Sequence, residues 1–514
     1  MEGRDPRRQM GWIALAAALA GLVRLPFLGR PLSSDEGGYL MVAAQWHPGT
    51  SLYGNYWVDR PPLLIALFRL ADWAGGTVPL RLLGVVIVVG SVLLAAWIGR
   101  LAAPGTRAPV YAAVTAAVFA STPLFDAQEV DGELLTLPFL LAGTGCVLAA
   151  LSRDTRHPWR WWLAAGALAA SAALVKQNML DVAVVAATAL VYRVARPAGR
   201  SRRTALGESV RGGLLFLGGA MVVVAAALTV ADALGTHPSG LWNALVEFRV
   251  QASRVIARSS GDHVRLLGLL GVFLLSGAPV LVGALVVAAV RRRRERLREP
   301  AGGPVPVALL AGAVLAWEAV AIAGGGSYWW HYQMASLTGL VLAAVALSAN
   351  GARTRRTVRI TLAYAAAVTL GFTVFAPTWA VGPKADPPVV HFLRAHKRPG
   401  DTGAVAFGDP AILRASGLSS PYPQLWSLPV KVRDPHLSQF AKVLRSPQRP
   451  TWIVSFHRRL GTWGANTSAA ETALRQHYTR VARVSGFHIF ESDTAVGRSA
   501  APPSSLQPSS RPSS

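Results

Sequence analysis

Long apolar stretches separated by short polar ones run from residue 11 to residue 377, near 11–28, 79–99, 108–124, 134–151, 161–175, 178–194, 212–231, 266–290, 304–323, 333–349 and 359–377. Each predicts a helix that crosses a bilayer, about eleven in all. The longest uncharged run, Leu266 to Val290, has 25 residues. At about 1.5 Å per residue it reaches roughly 37 Å, against a hydrocarbon core of about 30 Å, so it is expected to be one span. Between the first two spans, in segment 30–78, Asp35 to Trp46 and Pro61 to Trp73 are too short or too polar to cross. They are expected to lie along the outer interface as amphipathic helices, with Tyr39, Trp46, Tyr53, Tyr56, Trp57 and Trp73 in the aromatic belt. From 383 to 495 the pattern changes. Short apolar runs at 404–407, 452–456 and 487–490 read as strands, alternating with helical stretches near 434–445 and 468–477, which predicts a small α/β domain. Residues 496–514, rich in proline and serine, read as a disordered tail. No convincing internal repeat is present.

Composition agrees with a membrane protein. Hydrophobic residues make up 52% of the 514 and charged residues only 15%, where a soluble domain carries about a quarter charged. The 51 Lys and Arg against 26 Asp and Glu leave a net charge of +25, and their distribution decides what this means. If the Arg4/Arg7/Arg8 terminus is cytoplasmic and the spans alternate, the inner segments hold 24 basic residues and the outer ones before residue 383 about nine, as the positive-inside rule requires. The Arg291–Arg298 cluster after the longest run is then a cytoplasmic stop signal. Nucleic acid is not an expected partner. Topology places the N-terminus in the cytoplasm and the C-terminal domain outside. The first span has a basic start, but Gly21-Leu22-Val23-Arg24-Leu25-Pro26-Phe27 lacks a small-x-small cleavage site, so it reads as a retained anchor. A single cysteine, Cys146, excludes an internal disulfide framework and a cysteine-rich zinc site.

Ionisable residues that topology does not explain are the informative ones in a membrane protein. Here they gather on the outer side: Asp35 and Glu36, Asp59 and Arg60, Asp126, Glu129, Asp131 and Glu133, Lys176, and His331 with Tyr332. Carboxylates can deprotonate a hydroxyl or hold a divalent cation, and Arg or Lys can bind phosphate oxygens. Such a set suits group transfer from a phosphate-linked donor whose apolar tail lies among the helices, the cations offsetting charge on the departing phosphate.

Asp35-Glu36-Gly37-Gly38-Tyr39 after the first span, a loop ending in Asp59-Arg60-Pro61-Pro62-Leu63, the acidic segment before the fourth span, Lys176-Gln177-Asn178, and Trp329-Trp330-His331-Tyr332-Gln333 together resemble the GT-C membrane glycosyltransferases. The branch is that of protein O-mannosyltransferases, aminoarabinose transferases and RgtA/B/C/D-like proteins. The resemblance covers about residues 10–380 and rests on order and topology more than on one strict motif. It implies an α-helical polytopic membrane protein of GT-C type in the envelope of a bacterium, one whose arginine-rich composition suggests a GC-rich genome. It further implies inverting transfer of a sugar from a polyprenyl phosphate donor to an extracytoplasmic glycan, lipid or protein acceptor. Asp35 then has the general-base role, with Glu36 as the alternative or an orienting neighbour. Arg60 stands where relatives often have Lys or His, and its planar fork can hold two phosphate oxygens.

Each residue has a plainer reading beside this one. Asp35 suits the N-cap of an interfacial helix starting near Glu36, and Arg60 suits snorkelling to headgroups with Asp59 as its partner. Asp131 and Glu133 suit a helix N-terminus; His331 and Tyr332 suit an aromatic belt. Lys176 has few reasons to stand where it does without an anion. Arg254 and Arg258, in a series with Arg249 and Arg265, read either as a mobile loop closing over the donor or as a solvated helix. Glu318 is an intramembrane carboxylate. A divalent cation would need a carboxylate site, since no two histidines stand at metal spacing in the membrane part. The rival functions are a transporter or lipid-linked-sugar flippase, and an inactive GT-C-like scaffold.

Overall fold

The computed structural model describes residues 6–49, 52–152, 154–197, 200–257, 262–296, 305–375, 385–457, 459–461, 463–464 and 466–493. Among them seven helices are long and apolar enough to cross a membrane: Pro6–Phe27, Thr77–Ala102, Gly132–Leu151, Arg202–Ala233, Val307–Gly325, Trp330–Ala349 and Ala352–Phe375. The chain is a mostly helical, multi-pass membrane protein. Close backbone approach holds part of the bundle together. A Cβ on Gly166 would stand 1.8 Å from the Phe216 carbonyl oxygen and one on Gly219 2.0 Å from that of Leu163, so these two helices pack through glycine as membrane helices commonly do.

One expected span is corrected, and three others form helices that do not meet the same length and composition. The run Leu266–Val290 is not one straight span but two helices, His263–Leu275 and Ala278–Arg291, bent by 72°. Gly277 takes φ +80°, a conformation that other residues resist, and Pro279 has no N–H for a continuing helix. The Ser276 hydroxyl caps the break, donating to the Phe273 carbonyl at 2.7 Å and accepting from the Ala278 N–H at 3.1 Å. The expected spans at 108–124, 161–175 and 178–194 fold as Ala108–Phe119, Pro158–Val175 and Asp181–Ala195, which are shorter or more polar than the seven. Twelve residues at about 1.5 Å each reach roughly 18 Å.

Segment 30–78 does form helices, Ser34–Ala44 and Pro62–Trp73, but the first does not lie open at an interface. Of its eleven residues only Asp35 and Ala44 escape full burial. The expected aromatic belt is likewise enclosed: Tyr39, Trp46, Tyr53, Tyr56 and Trp57 are buried, and only Trp73 is exposed. Trp46 and Tyr53 pack on each other; over Tyr39, Tyr56 and Trp57 lies a cover of C-terminal chain. Tyr56 Oη accepts from the Ser420 N–H at 2.9 Å, and Trp57 donates its backbone N–H to the Pro423 carbonyl at 3.0 Å.

That cover includes a four-stranded sheet, β1 (Gly403–Val405), β2 (Trp452–Ser455), β3 (Tyr478–Val484) and β4 (Phe487–Ser492), in the order β1-β2-β4-β3. β1 pairs with β2 in parallel and the other pairs are antiparallel. Successive residues of a strand point to opposite faces. Accordingly Val405 and Val454 join a core continuous with the membrane helices, while Ala404 and Ile453 pack with Phe440, Leu444 and Trp463 on the far side. Strand β3 escaped the sequence reading because Thr479, Arg480 and Val481 are exposed, leaving no apolar run. The tail 496–514 lies outside the described residues.

Candidate functional site

The loop before the Gly132–Leu151 helix is held by two buried arginines from neighbouring spans. Arg24 donates to the carbonyls of Ala127 and, at 3.2 Å, Glu129. Arg81 donates to the Gln128 carbonyl and, at 2.6 Å, to Glu36 Oε2. Glu36 is wholly buried. Its Oε1 accepts from the Val130 N–H at 2.8 Å, and its Oε2 also closes a capping box with Ser33, accepting from the Ser33 N–H at 3.0 Å. Both oxygens therefore have protein donors. Ser33, not Asp35, is the N-cap of the Ser34–Ala44 helix, so capping does not account for Asp35.

Asp35 is half-buried and opens a chain of contacts. Its Oδ1 accepts from the indole Nε1–H of Trp426 at 3.0 Å and its Oδ2 from the Tyr39 hydroxyl, one helical turn on, at 3.2 Å. Tyr39 Oη accepts from Arg60 Nε at 2.7 Å, and Arg60 Nη1 donates to Asp59 Oδ1 at 2.9 Å. Arg249 completes the chain on Asp59 Oδ2 at 2.7 Å. Burial works to raise the Asp59 carboxyl, but Arg249 and Arg60 overcome it and hold the group below the usual carboxylate range. Burial pushes the Tyr39 hydroxyl well up. Burial alone would lower Arg60, yet Asp59, Tyr39 and Asp35 keep its guanidinium charged.

A second cluster stands beside the first. Asp131 caps the Gly132–Leu151 helix, accepting from the Leu134 N–H at 2.9 Å, so the helix-terminus reading of this residue holds. Glu133 Oε1 accepts from the Lys176 ammonium, which also lies 4.8 Å from the Tyr332 ring centre. His331 follows the chain reversal at Gly326 and Tyr328, both at positive φ. Its Nδ1 lies 3.7 Å from Asp131 Oδ2 and 3.9 Å from Asp126 Oδ2, and its Nε2 lies 3.8 Å from Glu133 Oε1. One ligand atom from each of Asp131, Glu133 and His331 fits within 4.8 Å of the others. Two carboxylates and an imidazole are a ligand set suited to a divalent cation with open positions.

Asp35, Asp59, Arg60, Asp131, Glu133, Lys176, His331 and Tyr332, chosen from scattered motifs, thus fall into two adjacent groups. Arg254 is exposed, and Arg258 lies outside the described residues. The basic series reaches the site by its ends instead: Arg249 on Asp59, and Arg265 stacked 5.0 Å over Trp329, whose ring in turn lies against His331. Glu318 is buried facing Asp181, and no donor within hydrogen-bonding geometry meets either carboxylate among the described residues. Sequence reasoning missed Arg24, Arg81 and Trp426 as contributors. An arginine inside an apolar run signals the first two; nothing local signals the third.

No family model matches the chain, and no curated protein matches its sequence. Solved structures do match its fold. ArnT from Cupriavidus metallidurans, bound to undecaprenyl phosphate, aligns with a TM-score of 0.61 at 16% identity, covering 93% of this chain and 98% of that one. The Archaeoglobus fulgidus oligosaccharyltransferase in its apo form aligns at 0.56 and 12% identity, covering 92% and 73%. The same organism's AglB, with an inhibitory peptide and a dolichol-phosphate, aligns at 0.54 and 13% identity, covering 95% and 74%. The chain has the fold of the GT-C membrane glycosyltransferases.

Proposed function

We propose that this GT-C-fold chain is a membrane glycosyltransferase that moves a sugar from a polyprenyl phosphate donor to an extracytoplasmic acceptor. The observation that carries the reading is a half-buried carboxylate, Asp35, joined through Tyr39 to a guanidinium, Arg60, beside a second group that presents Lys176. Solved structures of the same fold hold undecaprenyl phosphate and dolichol-phosphate, lipids with an anionic phosphate that cations such as these would bind.

In the proposed step the acceptor hydroxyl oxygen bonds to the anomeric carbon as its proton passes to Asp35. The carbon–oxygen bond to phosphate breaks on the opposite face, its electron pair leaves with the phosphate, and the sugar configuration inverts. Arg60 Nε and Nη1 are already engaged by Tyr39 and Asp59. Of its five N–H donors, the second on Nη1 and both on Nη2 are left for phosphate oxygens, so Arg60 meets the donor by the end of its fork. Lys176 supplies the second positive charge, and Glu36, with both oxygens occupied, positions the loops and does not exchange protons. Asp131, Glu133 and His331 would hold a divalent cation, which would supply Lewis-acid stabilisation of phosphate oxygens when bound.

The 383–495 region is the acceptor-side domain in this reading. The active face is extracytoplasmic, and the N-terminus cytoplasmic. Asp35→Asn is expected to abolish sugar transfer while membrane insertion and abundance stay normal. Mass spectrometry of lipids and envelope from a deletion strain, complemented with wild type or variant, reads both: the charged carrier accumulates and an envelope component lacks one residue. Full complementation by Asp35→Asn would overturn the base. Solute movement in vesicles without consumption of a lipid-linked sugar would favour a transporter, and an unchanged lipid and envelope profile in the deletion strain an inactive scaffold.

A further inference from the structure

Asp35 and Trp426 are separated by 391 residues and meet at 3.0 Å. The chain around them is shaped for that meeting. A Cβ on Gly38 would come 2.1 Å from Trp426 Cζ2, and one on Gly37 would come 2.4 Å from Ala411 Cα, so only the paired glycines let the C-terminal chain close onto this helix. Ser34 Oγ donates to the Gly408 carbonyl at 3.1 Å beside them. Gly408, at φ +76°, packs against the backbone N–H of Ser427, where a Cβ would stand 2.4 Å away, and this turn sets the start of the Ser427–Arg433 helix that Trp426 caps. The indole also lies 5.3 Å from the Tyr39 ring, centre to centre.

We propose that Trp426 is a positioning residue for the base, supplied by the C-terminal region. This deepens the reading above and rests on Asp35 taking the acceptor proton. A carboxylate has about four lone-pair sites on its two oxygens. Tyr39 takes one on Oδ2 and Trp426 one on Oδ1. The two donors are neighbours from distant parts of the chain, one on the same helix and one on the cover, and each holds a different oxygen, so together they fix the carboxylate plane and direct the remaining lone pairs. With Trp426 withdrawn, the carboxylate turns about its side-chain bonds and loses a hydrogen bond that favours its charged form.

The test is Trp426→Phe in the full chain, assayed with the sugar-charged polyprenyl phosphate that accumulates in deletion cells. Phenylalanine keeps the ring on Tyr39 and removes the donor. The expected result is a kcat lower by roughly ten- to a hundredfold, the range for one hydrogen bond to a charged group, with KM for the lipid donor within about twofold of wild type. The acid limb of the pH–activity profile moves to higher pH, so raising the pH restores part of the lost rate. Gly38→Ala, which drives the indole off Asp35 from the other side, is expected to move the same limb. A merely structural role would lower abundance and melting temperature and leave the limb in place. A wild-type kcat and profile in Trp426→Phe, with Asp35→Asn inactive, would overturn this inference alone; activity in Asp35→Asn would overturn the base assignment itself.

Discussion

Gln177 donates its side-chain amide to the backbone carbonyl of Asp59 at 3.2 Å. This bond joins the two halves of the site, because Gln177 follows Lys176 and Asp59 precedes Arg60. The two proposed phosphate-binding cations are thus carried on chain segments that touch.

Gln177→Ala is expected to lower kcat/KM for the lipid donor by about five- to tenfold, the value of one neutral hydrogen bond, without changing expression. Lys176→Ala removes a charge and is expected to lower it further. Donor-titration kinetics check both, and equal rates for Gln177→Ala and wild type would mean that the segments are aligned by other contacts.

The Lys176 ammonium sits on Glu133, one of the three groups suited to hold a divalent cation. Ammonium and metal compete for that oxygen. Lys176→Met is therefore expected to tighten manganese binding to the purified full chain by roughly tenfold, and His331→Ala to weaken it, by isothermal titration calorimetry. Heats indistinguishable from a Glu133→Gln control in every variant would remove the cation from the proposal.

Arg81 and Glu36 are 3% and 0% exposed and paired at 2.6 Å. Arg81→Met strands a buried carboxylate and is expected to destabilise the protein by about 3–5 kcal/mol, read as a fall in melting temperature in detergent. The Arg81→Met/Glu36→Leu pair regains only part, since the Ser33 and Val130 N–H groups lose their acceptor. A single variant as stable as wild type would show the pair is dispensable.

Burial pushes the Asp409 carboxyl up to about 6 against the pull of the Ala411 backbone N–H, with Asp386 adding to the rise. The folded protein then binds this proton at a pH where the unfolded chain, with a pKa of about 3.9, has released it. The stabilisation is fully present below about pH 4 and is lost as pH rises through about 6, by up to about 3 kcal/mol. Asp409→Asn is expected to flatten that slope, melting with wild type at pH 4 and above it at pH 7.5. Parallel melting curves across this range would exclude the effect.

Hydropathy, charge asymmetry and motif order are local properties, each readable within some twenty residues. They were enough for a multi-pass helical protein, for helices inside 30–78 and for strands β1, β2 and β4. The positions around Asp35, Arg60, Lys176 and His331 stood out because charges near an apolar run are costly without a partner. The break at Gly277 was also local, yet an uncharged apolar run masked it, since hydropathy sums side chains and is blind to backbone dihedrals.

Which groups meet is a property of the folded chain. Glu36 and Asp35 are adjacent in sequence and alike in chemistry, but successive helical residues point about 100° apart, so one is drawn inward to Arg81 and the other outward to Tyr39 and Trp426. Of the six expected belt aromatics, Tyr39, Tyr56 and Trp57 are closed over by chain from far along the sequence, and a contact such as Trp426 on Asp35 leaves no periodic trace in either segment. The solvent each segment prefers is written in its own residues, since burial free energy is additive along the chain; partnership depends on the path that brings distant segments together, and no local pattern encodes it.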